Sequence, residues 1–177
     1  MAAFPFAHEL ELDAWLRESE LQITTTLRAT GERAVPISFG YHPYFVIPGA
    51  PRAEWAVDLP VTSHIVVDDR MIPTGAREPA TNVTPGPLGI RTFDDGYADV
   101  EPGTTFVLSG AGRRIEVSFD RGYPVAVVYA PANDDVVCFE PMTAPTNALL
   151  SGDGLRWVQA GDQFSARFSI KVSRELV

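Results

Sequence analysis

Ser38-Phe39-Gly40-Tyr41-His42-Pro43-Tyr44-Phe45 follows the short apolar run Val35-Pro36-Ile37, and its reading decides for sheet. Strand alternation turns Phe39, Tyr41 and Phe45 to one face and His42 and Tyr44 to the other. Pro43 bars a helix here and holds His42 in extended geometry. Imidazole titrates near neutrality, so a histidine beside a ring on its own face suits a site that binds something flat and polar and then moves a proton. A lone histidine on an aromatic strand is more often a half-buried structural group. The rest of the chain has to decide between these readings.

Alternation recurs on both sides of this stretch. In residues 8–16, Leu10, Leu12, Ala14 and Leu16 oppose Glu9, Glu11, Asp13 and Trp15; in 21–28, Leu21, Ile23, Thr25 and Leu27 oppose Gln22, Thr24, Thr26 and Arg28. A turn at 18–20 makes the two an antiparallel hairpin. Short strands are expected at 54–59 and 64–69, and further ones at 104–108, 114–119, 124–130 and 136–140. Residues 163–172 close the chain with Phe164, Ala166, Phe168, Ile170 and Val172 inward. Val125-Ala126-Val127-Val128-Tyr129 is apolar throughout, which places it mid-sheet. Residues 76–90, rich in Pro, Gly, Thr and Ala, read as a long surface loop. No amphipathic helix or internal repeat is legible. His8 reads as an edge residue, His64 as structural and Trp55 as core. The pairs Asp68-Asp69, Asp94-Asp95 and Asp134-Asp135 invite a metal reading, but turn chemistry accounts for them and no metal is assigned.

The second informative stretch is Cys138-Phe139-Glu140-Pro141-Met142-Thr143-Ala144-Pro145-Thr146-Asn147, a glutamate ending an apolar strand before a proline-rich loop. The two stretches, in this order and with Arg91-Thr92-Phe93-Asp94-Asp95 between them, resemble the aldose 1-epimerase (galactose mutarotase-like) family over residues 5–172. The resemblance implies His42 as catalytic acid and Glu140 as catalytic base. Asp94 would be a ligand for sugar hydroxyls, with Tyr44 and Arg91 as further substrate contacts. It also implies an all-β fold, an antiparallel β-sandwich of the supersandwich type, with residues 1–177 as one domain, and the inner face of that sandwich is expected to hold the site. The expected substrate is a free hexose whose α and β anomers are interconverted, with no cofactor. Reference pKa values of about 4.3 and 6.5 let a carboxylate and an imidazolium coexist near neutral pH. Two other readings stay open: a non-catalytic carbohydrate-binding or regulatory module, and a glycoside hydrolase using Asp94 and Glu140 as its carboxylate pair.

Composition narrows the partners. A net charge of −9 disfavours nucleic acid and anionic membranes. The N-terminal residues show no basic segment leading into a long apolar core, and no run is long enough to span a bilayer. The single cysteine, Cys138, sits between Val137 and Phe139 as a buried thiol, which fits a reducing cytoplasm. The scattered 15 prolines and 14 glycines fit many short turns within one 177-residue domain.

One departure from the family pattern stands out. Full-length relatives carry an arginine and a second histidine upstream of the His42 strand, and here about forty residues precede it. The chain therefore reads as an N-terminally shortened version of the fold. Its 8–28 hairpin is expected to leave the rows Leu10, Leu12, Leu16 and Leu21, Ile23, Leu27 uncovered by this chain, open to self-association or to a partner chain.

Overall fold

The computed structural model describes residues 4–174. In chain order the strands begin with β1 His8–Arg17, β2 Glu20–Ala29, β3 Val35–Ile37 and β4 Tyr44–Phe45. A single 3-10 turn at Arg52–Glu54 precedes β5 Ala56–Asp58, β6 Ser63–Val67, β7 Pro73–Pro79 and β8 Gly86–Pro87. Then come β9 Phe93–Ala98, β10 Thr104–Gly110, β11 Arg113–Arg121, β12 Val125–Ala130 and β13 Val137–Met142. One helical turn, α1 Ala148–Ser151, is followed by β14 Arg156–Val158 and β15 Gln163–Arg174.

Two antiparallel sheets form the body, one ordered β1-β2-β15-β11-β10-β5-β8 and the other β4-β13-β12-β9-β6-β7, with β3 and β14 as a separate ribbon. The alternation read from the sequence is what lets them stack. Phe106, Leu108, Val117, Phe119, Ala166 and Phe168 turn inward from the seven-stranded sheet to meet Phe93, Tyr97, Val128 and Phe139 from the six-stranded one. The edge-on rings of Phe106 and Phe139, 5.6 Å apart at 84°, join the layers. Each such side chain withdrawn from water contributes about 1.5–3 kcal/mol. The apolar Val125–Ala130 strand lies mid-sheet between β13 and β9, as its composition requires.

Three expectations need correction. Residues 76–90 are not one long loop: β7 runs to Pro79 and β8 adds a second short strand. Strand β7 is an edge strand paired with β6 alone and exposed from Thr74 onward, so it has no buried face to write alternation into the sequence. The 38–45 stretch is not a single strand either. Val35–Ile37 pairs with β14, Tyr44–Phe45 pairs with β13, and the residues between cross from the ribbon to the six-stranded sheet. Val172, expected inward, is 46% exposed because β15 runs on past the covered part of the sandwich. Trp55 is core, with its indole N–H donating to the Ala50 carbonyl at 3.0 Å. His8 sits exposed at the start of the β1 edge, as expected.

Strand β1 pairs with β2 so that Leu10, Leu12 and Leu16 share a face with Leu27, Thr25 and Leu21. The Leu27 and Thr25 end of that face is buried, yet Leu10, Leu12 and Leu16 are 55%, 54% and 73% exposed. The apolar row therefore continues beyond what the second sheet covers. If that face is bare in solution, replacing Leu12 and Leu16 together by lysine should change unfolding stability by no more than about 0.5 kcal/mol per site. Urea unfolding checks this; a loss of several kcal/mol would mean the row is packed. Among the described residues no helix is long and apolar enough to cross a membrane.

Candidate active site

The site follows from strand register. Strand β13 pairs Cys138 with Tyr44, and an isolated bridge pairs Met142 with Gly40. Continuing that ladder sets His42 opposite Glu140. Pro43 offers no N–H to the ladder, and the Tyr41 N–H restores the link by donating to the Pro141 carbonyl at 3.1 Å. On its other side β13 pairs Cys138 with Tyr129 and Glu140 with Val127, and β12 pairs those in turn with Asp94 and Gly96. One face of the sheet thus carries two neighbouring rows, Tyr44-Cys138-Tyr129-Asp94 and His42-Glu140-Val127-Gly96. The opposite face of the same strands is the core, with Phe45, Phe139, Val128 and Phe93. The site therefore lies on the outer face of the six-stranded sheet and not, as expected, on an inner face of the sandwich.

His42 Nε2 stands 3.0 Å from Glu140 Oε1, with the two side chains 48% and 8% exposed. The pair lie 98 positions apart in sequence. The His42 ring stacks on Tyr44, centroids 4.7 Å apart at 18°, and meets the edge of Tyr129 at 6.2 Å. Burial, and secondly the nearby Asp94 carboxylate, push the Glu140 carboxyl up to about 7. A carboxyl poised there exchanges its proton readily at neutral pH. On the same sheet face lies a depression of about 120 Å³ whose wall includes Ile65, Val67, Asp94, Val125, Val127 and Thr146. A larger cavity of about 280 Å³ holds Asp99, Glu101, Arg121 and Arg156. Its lining contains no histidine.

Two residues lock the crossing segment in place. Thr143, fully buried, accepts a hydrogen bond from the Phe39 N–H at 2.9 Å and returns its hydroxyl to the Phe39 carbonyl at 2.9 Å. The Thr143 N–H reaches the same carbonyl at 2.9 Å. At Gly40 an added Cβ would overlap Met142 Sδ and stand 2.7 Å from the Pro141 carbonyl oxygen, so the absence of a side chain permits the approach.

The structure brings together His42, Glu140, Tyr44 and Asp94. It does not bring Arg91. The guanidinium of Arg91 donates to the carbonyls of Thr84, Gly86 and Pro87 at 3.0, 2.7 and 2.6 Å, which ties down the connection before β9. It also lies over the Phe93 ring, on the core side of the strand from which Asp94 faces outward. Arg91 is a loop-holding residue here. His64 is likewise structural, set between Glu78 and Asp95 at 3.1 Å each. Asp68 caps its turn by accepting from the Arg70 and Ile72 N–H groups. The sequence alone assigns no role to Tyr129, Gly40 or Thr143, and it marks Cys138 as a buried thiol. The parity of Cys138 with Glu140 was the one signal that could have placed it in the site.

Comparison with known proteins bears on the family and the fold. A family model described as aldose 1-epimerase matches residues 2–171. A crystal structure of a protein from Synechocystis sp. PCC 6803 superimposes with a TM-score of 0.80 at 28% identity, covering 98% of this chain and 57% of that one. A galactose mutarotase-like protein from Clostridium acetobutylicum gives 0.83 at 18% identity, covering 97% and 57%. The galactose 1-epimerase of Lactobacillus acidophilus NCFM gives 0.78 at 14%, covering 98% and 59%. The likenesses below 25% identity speak for the fold, and the chain spans less than two thirds of each of these proteins. No curated protein sequence matches the chain.

Proposed function

The chain belongs to the aldose 1-epimerase family, and we propose that within it the chain interconverts the α and β anomers of a free hexose by acid–base catalysis. The observation that carries this reading is the direct contact of His42 Nε2 with Glu140 Oε1 at 3.0 Å. The two oxygens that must exchange protons, O1 and O5, are both bonded to C1. A base for one and an acid for the other must therefore stand side by side. A sugar entering between the two side chains would replace their mutual hydrogen bond with one to each oxygen. The Glu140 carboxylate takes the proton of the C1 hydroxyl while the His42 imidazolium delivers one to O5, and the C1–O5 bond breaks to give the open aldehyde. Rotation about C1–C2 and the reverse proton transfers close the ring on either face. Tyr44 and Tyr129 would support the apolar side of the sugar, and Asp94 would accept from its hydroxyls.

The imidazole partner favours this pair over a glycosidase pair of Asp94 and Glu140, which sit two strands and one row apart. Polarimetry of freshly dissolved α-glucose and α-galactose, corrected for spontaneous mutarotation, tests the proposal. A null result with intact sugar binding would turn the reading to a carbohydrate-binding module, and cleavage of a chromogenic glycoside would turn it to a hydrolase.

The pH dependence is fixed in sign. The base must be ionised, and Glu140 titrates near 7. The catalysed kcat/KM should fall roughly tenfold per pH unit below that point, as the base becomes protonated. A profile flat between pH 5 and 7 would remove Glu140 from the role of base.

A further inference from the structure

We propose that His42, Cys138 and Glu140 form a three-ligand site for a zinc ion, placed so that the metal and a reacting sugar exclude one another. One ligand atom from each of the three lies within 4.8 Å of the other two, and His42 Nε2 is already 3.0 Å from Glu140 Oε1. Among the described residues, no other three His, Cys, Asp or Glu ligand atoms gather in this way. A tetrahedral zinc ion with bonds of about 2.0–2.3 Å holds its ligand atoms roughly 3.3–3.7 Å apart, so rotation of side chains already gathered here closes the trio.

Strand register makes the trio a built feature of the sheet. Cys138 and Glu140 are two residues apart on β13 and project from the same face. Tyr44 pairs with Cys138, and the same ladder carries His42 to Glu140. Two of the three ligands are buried, and the Thr143 and Gly40 contacts fix the approach of the third. The donor set chooses the ion. A sulfur, an imidazole nitrogen and one carboxylate match zinc, whereas calcium and magnesium require a shell of oxygens. His42 is 48% exposed, which leaves the fourth position facing water. Three protein ligands with an open fourth position is an arrangement zinc commonly adopts.

Metal binding itself does not depend on the epimerase reading. Its effect on turnover does, because the ion would occupy the atoms that handle the O1 and O5 protons. The test therefore begins with binding alone. Protein stripped with a chelator is titrated with Co²⁺, and the expected result is one equivalent bound with tetrahedral d–d bands and a thiolate-to-cobalt charge-transfer band, both displaced by Zn²⁺. Cys138→Ser and Cys138→Ala should each lose the charge-transfer band and weaken zinc binding by roughly tenfold or more. His42→Asn, at a half-exposed position, should weaken zinc similarly even if the buried cysteine variants fail to fold. His64→Asn, which breaks the separate cluster with Glu78 and Asp95, should leave zinc binding unchanged. Absence of the charge-transfer band in the wild type overturns the proposal. So does equal zinc affinity in the wild type and His42→Asn. If the chain also turns over sugar, zinc should inhibit it with the affinity seen in the titration. Inhibition in the wild type at a concentration unrelated to that affinity would place the metal elsewhere.

Discussion

Glu140→Gln is expected to abolish catalysed mutarotation, lowering kcat by about 10³-fold, while sugar affinity changes by no more than a few fold. The amide keeps the size of the carboxylate and can still accept a hydrogen bond from His42 Nε2, but it cannot take the proton of the C1 hydroxyl. The same substitution should raise stability at alkaline pH. Burial lifts the Glu140 carboxyl from 4.5 to about 7. Below about 4.5 both folded and unfolded chains hold the proton and the group is neutral to folding. Between about 4.5 and 7 the unfolded chain loses its proton first, so stability drains away as pH rises through the folded value, and above it the penalty is complete. At 1.36 kcal/mol per unit that penalty is at most about 3 kcal/mol. The glutamine variant has no such group, so it should gain on the wild type between pH 5 and pH 8 in urea unfolding. A variant that loses turnover and also loses stability at pH 8 would mean that Glu140 is chiefly a structural partner of His42. Retained mutarotation would move the base elsewhere.

How far the sequence could be read depends on which faces are buried. Strands β2, β11 and β15 bury one face more deeply than the other, so alternation announces them. Strand β1 alternates as well, although its apolar row is exposed, and periodicity alone carries no information about what covers a face. Strands β7 and β8 have little buried surface, and the β3–β14 ribbon is short and carries Pro36, so none of them writes a period into the chain. The site was legible where parity decides. His42 with Tyr44, and Glu140 with Cys138, share faces because their spacing is even. Parity speaks against Arg91, an odd step from Asp94 and hence turned to the other face, although the family resemblance implies it as a substrate contact. Parity is silent on which face of a sheet meets its partner sheet. In Val137–Met142 the residues on both faces are buried, so the outer position of the site emerges only from packing. Tyr129 entered the site through the β12–β13 and β12–β9 registers, which the sequence does not contain.

The second large effect is expected at a residue that touches no substrate. Gly40→Ala should lower kcat roughly 10²-fold, because displacements on the order of 1 Å in a reacting pair have consequences of that size. The backbone at Gly40 lies outside the left-handed region, so the difficulty is one of space. The new Cβ would meet the Met142 side chain and the Pro141 carbonyl oxygen. Met142 Sδ and Cε form the end of a flexible side chain and can swing aside, but the Pro141 carbonyl oxygen, 2.7 Å away, belongs to β13 and is held by the Tyr41 N–H. The segment carrying His42 must therefore back away from β13, and His42, two residues on, moves with it while Glu140 stays. Overpacking of this kind lowers stability by about 1–3 kcal/mol. A second substitution separates the two contacts. Met142→Ala added to Gly40→Ala relieves the sulfur overlap and should return part of the stability, yet kcat should stay low because the carbonyl still stands in the way. Full recovery of kcat in the double variant would show that the methionine alone matters, and that the close approach of the two strands does not set the distance between His42 and Glu140.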